Sequence, residues 1–283
     1  MKRTFILGDE WLYCKLYCGK RTSDIVLVDC IKPLTEALLE KKLINKWFFI
    51  RYTDPNPHLR IRFHCNDINN LGIIIGNINK AISNYVKNDL IWKVQADTYT
   101  REIERYGENT IEETEHFFFI DSNTCLKSLD LIKDDTVLFM FALRSINTLF
   151  EVFDFTTKTK LSFVKENLEA FKAEFNANKN LNKQLYKKHN GLKKEIITFF
   201  EMQNHIEYQP LINLLHTKKK ELETLKKMIC KKNTQDNINH LLSNYIHMTI
   251  NRMFRDQQRL HELVCYDNLY RFYNFIINQK KHC

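Results

Sequence analysis

The sequence predicts an α+β fold: an N-terminal ferredoxin-like βαββαβ sheet packed with a predominantly helical C-terminal half. Three observations carry that expectation. The first hundred residues alternate strand-like and helix-like apolar patterns, whereas everything after about residue 108 recurs at helical spacing. Only 6 glycines and 4 prolines interrupt the 283 residues, which leaves long helices little to break them. With 44% apolar and 12% aromatic residues the chain can bury a sizeable core. We read 1–283 as one domain, with 1–107 as its α/β part and 108–283 as its helical part.

The first strand pattern, Trp11 to Tyr17, places Trp11, Tyr13, Lys15 and Tyr17 on one face and Leu12, Cys14, Leu16 and Cys18 on the other. An amphipathic helix follows from about Ser23 to Lys42. Trp47 to Tyr52 and His58 to His64 are two strand-like runs joined by Thr53, Asp54, Pro55, Asn56 and Pro57, a turn signal that predicts a hairpin. A second helix, Ile68 to Val86, precedes a fourth strand from Ile91 to about Thr100. From Ile111 onward helical spacing runs through 117–120, 137–153, 160–175, 181–200, 208–230, 238–253 and 258–279.

The net charge of +9 comes from 43 Lys and Arg against 34 Asp and Glu, an excess that favours anionic partners in general. Much of it lies in runs such as Lys218, Lys219, Lys220 and Lys226, Lys227, Lys231, Lys232. At helical spacing such lysines read as a solvated face, and direct nucleic-acid binding is not the expectation. Eight cysteines in a chain this long and lysine-rich do not read as a stapled secreted scaffold. The residues after Met1 carry no hydrophobic signal-peptide core, and no run approaches the roughly 18 apolar residues of a membrane span. The expectation is a cytoplasmic protein with reduced thiols.

HLRIRF at 58–63 is the most informative stretch. Strand alternation puts His58, Arg60 and Arg62 on one face and Leu59, Ile61 and Phe63 on the other. Two arginines and a histidine in a row suit bidentate capture of a carboxylate or phosphate; an exposed, salt-bridged sheet face is the competing reading. EIERYGE at 102–108 brings Glu102, Glu104, Arg105 and Tyr106 together beside Gly107, and Arg next to carboxylates is most often a structural ion pair. In LLSNYIHMTINRMF at 241–254, Ser243, His247 and Asn251 share an i, i+4 stripe on an otherwise apolar helix. Burying three aligned polar groups without purpose is costly. The sequence contains no HExxH, no CxxC pair, no GxxxxGK and no GxGxxG, so zinc, phosphate-loop and Rossmann sites are unsupported.

WLYCKLYCG at 11–19, WFFIRYTDPNPHLRIRF at 47–63, DTYTREIERYG at 97–107, EHFFFIDS at 115–122 and HMTINR at 247–252 stand in one order and spacing. Together they resemble the C-terminal elimination domain of lantibiotic dehydratases, also called the thiopeptide-type bacteriocin biosynthesis domain. The resemblance spans nearly the whole chain and makes it a single elimination-type domain. In that family a separate domain glutamylates Ser or Thr hydroxyls with glutamyl-tRNA, and this domain eliminates glutamate to leave dehydroalanine or dehydrobutyrine. The resemblance therefore implies a split system: a glutamylated precursor peptide as substrate, a separate glutamyl-tRNA-dependent glutamylation protein as partner, and no metal or organic cofactor. A homodimer is left open.

Carried over residue by residue, the family's elimination set is Arg60, Arg62, Glu102, Arg105 and His247. His58, Tyr106, Ser243, Asn251 and Arg252 are the expected substrate-binding neighbours. Glu108 stands where the family often has a second glycine, which puts that turn's conformation in question. Removing a weakly acidic peptide α-proton while glutamate leaves calls for cationic partners. The implied roles are Arg60 and Arg62 on the glutamyl carboxylates, Arg105 oriented by Glu102 on the developing enolate, and His247 as proton carrier. Two readings compete: a pyridine-forming cycloaddition enzyme of a thiopeptide pathway, and a non-catalytic peptide-binding or scaffolding subunit.

Overall fold

The computed structural model describes residues 1–201 and 206–282. The elements are β1 (Thr4–Phe5), β2 (Trp11–Cys18), α1 (Thr22–Ile25), a π-helical turn (Val26–Ile31), α2 (Lys32–Glu40), β3 (Lys46–Tyr52) and β4 (His58–His64). A 3-10 turn (Ile68–Asn70) leads into α3 (Leu71–Lys87), β5 (Ile91–Asp97), β6 (Tyr99–Thr100) and α4 (Ile103–Tyr106). The rest is helical: α5 (Ile111–Leu131), α6 (Asp135–Val152), α7 (Thr157–Glu174), α8 (Lys179–Glu201), α9 (Gln209–Lys232), α10 (Gln235–Met253) and α11 (Gln258–His282). No described helix is long and apolar enough to cross a membrane.

β3, β4, β2 and β5 form, in that order, an antiparallel four-stranded sheet. Its register pairs Tyr13 with Arg62, Lys15 with Arg60 and Tyr17 with His58, and on the other side Phe48 with Arg62 and Tyr52 with His58. Opposed residues share a face, so the polar side carries Tyr13, Lys15, Tyr17, Arg62, Arg60, His58, Phe48 and Tyr52. The opposite side carries Trp47, Phe49, Leu59, Ile61 and Phe63, all buried, each stabilising by about 1.5–3 kcal/mol through its removal from water.

Two expectations need correction. The strand expected from Ile91 to Thr100 is broken at Thr98: β5 pairs with β2, whereas Tyr99 and Thr100 leave the sheet and pair with Phe5 and Thr4 in a separate two-stranded ribbon. Asp97 turns the chain by accepting from Thr98 N–H at 2.7 Å. Lys218, expected in a solvated face, is fully buried and donates to Asp121 at 2.6 Å and to Ser145 at 2.8 Å. Asp121 also accepts from Thr249 at 2.9 Å and Arg252 at 2.8 Å, so one carboxylate ties α5, α6, α9 and α10 together. Elsewhere on α9, Lys219 pairs with Glu151, Lys226 with Asp154 and Lys232 with Glu113. Four of the seven lysines of α9 are thus paired within the chain, while Lys220, Lys227 and Lys231 are exposed.

Side chains fuse the sheet to the helices along the outer edge of β3. Phe49 N–H donates to Ser122 at 3.2 Å, and its carbonyl accepts from Arg252 Nε at 2.9 Å. Arg51 N–H donates to Asn251 Oδ1 at 2.9 Å, and its carbonyl accepts from Asn251 Nδ2 at 3.0 Å. Asn251 thus presents a donor and an acceptor as a neighbouring strand would, and the edge is closed.

Candidate active site

The polar face of the sheet is the floor of the site, and its central residue is Arg62. Only 8% of Arg62 is exposed, and its guanidinium carbon lies 4.3 Å, 5.1 Å and 4.7 Å from the ring centroids of Tyr13, Phe48 and Tyr99. Among the described residues no carboxylate lies within salt-bridge reach of it, and its Nε has no hydrogen-bond partner. Burial lowers its pKa from the ordinary guanidinium value. A buried, unpaired cation costs several kcal/mol unless something compensates it, and stacking on three rings recovers only about 0.5–2 kcal/mol for each. The arrangement is poised for an anion.

Arg60, two residues back on the same face, is held differently. Its Nε donates to His58 Nε2 at 3.1 Å, and its guanidinium lies 3.4 Å over the Tyr52 ring. His58 Nδ1 lies 2.7 Å from the Asn56 carbonyl, which can only accept, so Nδ1 carries the proton and Nε2 receives Arg60. Burial lowers the His58 pKa and favours this neutral form. Lys15 adds a third cation beside Arg60 and is paired with Asp97.

The edge of the floor is α4. Gly107 ends it at φ +78°, where an added Cβ would lie 2.8 Å from Thr110 Oγ1. Glu108 is not among the positive-φ residues, so the turn needs only this one glycine. Arg105 Nη1 lies 3.6 Å from Glu102, and its Nε donates to Asn244 Oδ1 of α10 at 2.7 Å. Tyr106 is buried beside Phe118 and Tyr245. Burial pushes its hydroxyl pKa up, against the charges of Arg105, Arg252 and Arg62.

His247 sits on α10 one turn after Asn244, which holds Arg105, and one turn before Asn251, which caps β3. Its ring turns toward α11. Its Nδ1 lies 2.9 Å from Glu262 of α11. Among the described residues no group of three or more His, Cys, Asp or Glu is placed to hold a metal ion.

Residues 11–273 match the family described as lantibiotic biosynthesis dehydratase, C-terminal. The chain belongs to that family. Its curated relatives include the nisin biosynthesis protein NisB of Lactococcus lactis subsp. lactis, 35% identical over 44% of this chain and 12% of that protein. The subtilin biosynthesis protein SpaB of Bacillus subtilis is 28% identical over 56% and 16%. The epidermin biosynthesis protein EpiB of Staphylococcus epidermidis is 25% identical over 87% and 24%. The chain thus spans no more than about a quarter of the length of these relatives.

Among solved structures, the tRNA-dependent lantibiotic dehydratase MibB of Microbispora sp. 107891 superposes with a TM-score of 0.76 at 18% identity, over 98% of this chain and 29% of that one. The pyridine synthase TbtD of thiomuracin biosynthesis superposes at 0.66 with 12% identity, over 94% and 100%. At such identities both likenesses show the family's fold alone.

Within this family member, the structure gathers Arg60, Arg62 and His58 on the floor and Glu102, Arg105 and Tyr106 at its edge, while His247 stands on α10 with its ring against Glu262 of α11. It separates three residues expected to meet a substrate. Ser243 turns to α7, where its hydroxyl donates to Asn167 at 3.2 Å. Asn251 is committed to β3. Arg252 is fully buried and paired with Asp121 at 2.8 Å. An i, i+4 stripe drifts by about 40° per step around a helix of 3.6 residues per turn, so Ser243 and Asn251 face different neighbours although His247 lies between them. Sequence reasoning missed Asn244, Tyr99 and Glu262. Asn244 stands at i−3 from His247 and was within reach of a spacing argument; Tyr99 and Glu262 meet the site only through tertiary contacts.

Proposed function

We propose that this chain eliminates glutamate from O-glutamylated Ser or Thr residues of a ribosomal precursor peptide, giving dehydroalanine or dehydrobutyrine. The observation that carries this reading is Arg62, a buried cation with an aromatic enclosure and no carboxylate of its own, on one face with Arg60. A glutamyl group brings a free carboxylate to that face and a second one as it leaves. In the proposed step, His247 removes the Cα proton, the Cα=Cβ bond forms, and the Cβ–O bond breaks to release glutamate as its carboxylate. Arg60 and Arg62 receive the glutamyl carboxylates, and Arg105, oriented by Glu102 and Asn244, faces the developing enolate.

On this reading the α/β and helical parts act as one unit, because the floor comes from the sheet and the proton carrier from α10. The strand order and antiparallel pairing support a ferredoxin-like arrangement for that floor. A separate glutamyl-tRNA-dependent protein would form the ester.

The test is mass spectrometry of a synthetic peptide bearing one O-glutamyl serine, incubated with the purified protein. Conversion to dehydroalanine with release of free glutamate, lost in Arg62→Ala and His247→Ala, is the expected result. An untouched ester alongside cyclisation of a bis-dehydroalanine peptide would move the assignment to cycloaddition.

A further inference from the structure

We propose that Glu262 is a positioning residue that sets the tautomer of His247 and balances the charge it gains, a role that rests on the elimination reading above. Glu262 Oε2 lies 2.9 Å from His247 Nδ1 and accepts from Arg259 Nη1 at 3.2 Å. Arg259 in turn is clamped to Glu174 of α7, with Nε at 3.0 Å, and lies 4.1 Å over the Phe171 ring. The order is Glu174, Arg259, Glu262, His247: a surface ion pair braces the buried Glu262 behind one partly exposed imidazole.

A carboxylate paired to a guanidinium offers only acceptors, so Nδ1 of His247 must donate to it. When the ring is neutral, Nε2 is then left with its lone pair, the form a general base requires. The second consequence is electrostatic. A histidine that takes a proton becomes a cation, and on the elimination reading it does so at a site that also uses Arg60, Arg62 and Arg105. Glu262 supplies the opposing charge at hydrogen-bond distance, while the Arg259 clamp keeps it from turning toward solvent. A purely structural Glu262 would be satisfied by Arg259 alone and would have no need of the imidazole. The charged groups that face His247 are Glu262 and Arg259 from α11 and Glu174 from α7.

The test combines two readouts on the full chain. In protein labelled with 15N-histidine, the His247 ring signals are identified by their loss in His247→Asn, and the wild type is expected to show Nδ1 protonated and Nε2 unprotonated in the neutral form. Glu262→Met should mix the tautomers and lower kcat for the O-glutamyl serine peptide by about 10–100-fold per folded molecule, with KM within about twofold. Glu262→Gln, which keeps an acceptor but loses the charge, should retain the tautomer and recover part of kcat. An Nε2-protonated ring in the wild type, or a Glu262→Met variant with unchanged kcat, would overturn the proposal. If the wild type leaves the ester intact, the elimination reading fails, and the ring signals still decide whether Glu262 fixes the tautomer.

Discussion

Tyr99 and Arg62 belong to different sheets, yet the Tyr99 ring stands 4.7 Å from the Arg62 guanidinium. The ring is held there from behind, because the Tyr99 hydroxyl donates to the buried Glu115 at 3.0 Å, and Glu115 is itself gripped by Arg101 at 2.7 and 2.8 Å. The break after β5 that took Tyr99 out of the main sheet is therefore what encloses Arg62.

Arg62→Met should abolish elimination, by more than about 100-fold, while leaving the protein at least as stable as the wild type. The buried guanidinium is uncompensated in the free protein, and replacing such a charge by an apolar chain of similar volume is neutral or stabilising. Urea unfolding and a peptide elimination assay measure the two effects; a loss of more than about 1 kcal/mol would contradict the account of Arg62 as an unpaired cation.

His58 links the site to pH. Its folded pKa is lowered by burial from the ordinary 6.5, so the unfolded chain binds the proton more readily, and the stability His58 contributes is present above about pH 6.5 and lost as pH falls through the folded value. Protonation also removes the Nε2 acceptor that holds Arg60. The expected outcome is a KM for the glutamyl peptide that rises on the acid side, with a weaker rise in His58→Gln. Steady-state kinetics between pH 5 and pH 8 check it.

Asp121→Asn should destabilise the fold by about 3–5 kcal/mol, since it strands the buried Lys218 and Arg252. Burial pushes the Asp121 pKa up, but Lys218 and Arg252 outweigh it and hold the group below the ordinary carboxylate value. Its contribution is thus present above that value and lost as pH falls through the lower folded one. Chemical unfolding at neutral pH and below pH 4 should show the variant's deficit shrinking with acidity.

Asn251→Ala separates structure from binding. It leaves the N–H and carbonyl of Arg51 without their partners, at about 1–3 kcal/mol of stability, but touches nothing on the floor. The specific activity of the folded fraction is expected to change by less than about threefold, equivalent to under 1 kcal/mol. Calorimetry with activity normalised to folded protein tests this, and a large fall in KM-dependent rate alone would restore Asn251 to the substrate.

Gly107→Ala places a Cβ against Thr110 at a positive φ, a strain of about 1–3 kcal/mol. Because α4 carries Arg105, the activity loss should exceed what the fall in melting temperature explains. Thr110→Ser alone should spare both.

Much of this architecture is legible in the residues themselves. Alternation in HLRIRF put His58, Arg60 and Arg62 on one face, because a strand has a period of two whatever surrounds it. The helix starts are equally local: Asp134, Thr156 and Thr234 accept hydrogen bonds from the first-turn N–H groups of α6, α7 and α10. The recurring motifs identified the family. What the sequence could not assign was the partner of each polar group. Lys218 reads as a surface lysine until four helices converge on Asp121. Asn251 reads as part of a histidine stripe until β3 arrives with an unpaired edge, and Glu262 is invisible until α11 folds back on α10. Periodicity is set by the covalent chain and survives in any context, whereas burial, counter-charges and the neighbours of an imidazole depend on other segments, 15 residues away for Glu262 and His247 and 200 for Arg51 and Asn251, and only their packing decides which polar groups are buried and which face a substrate.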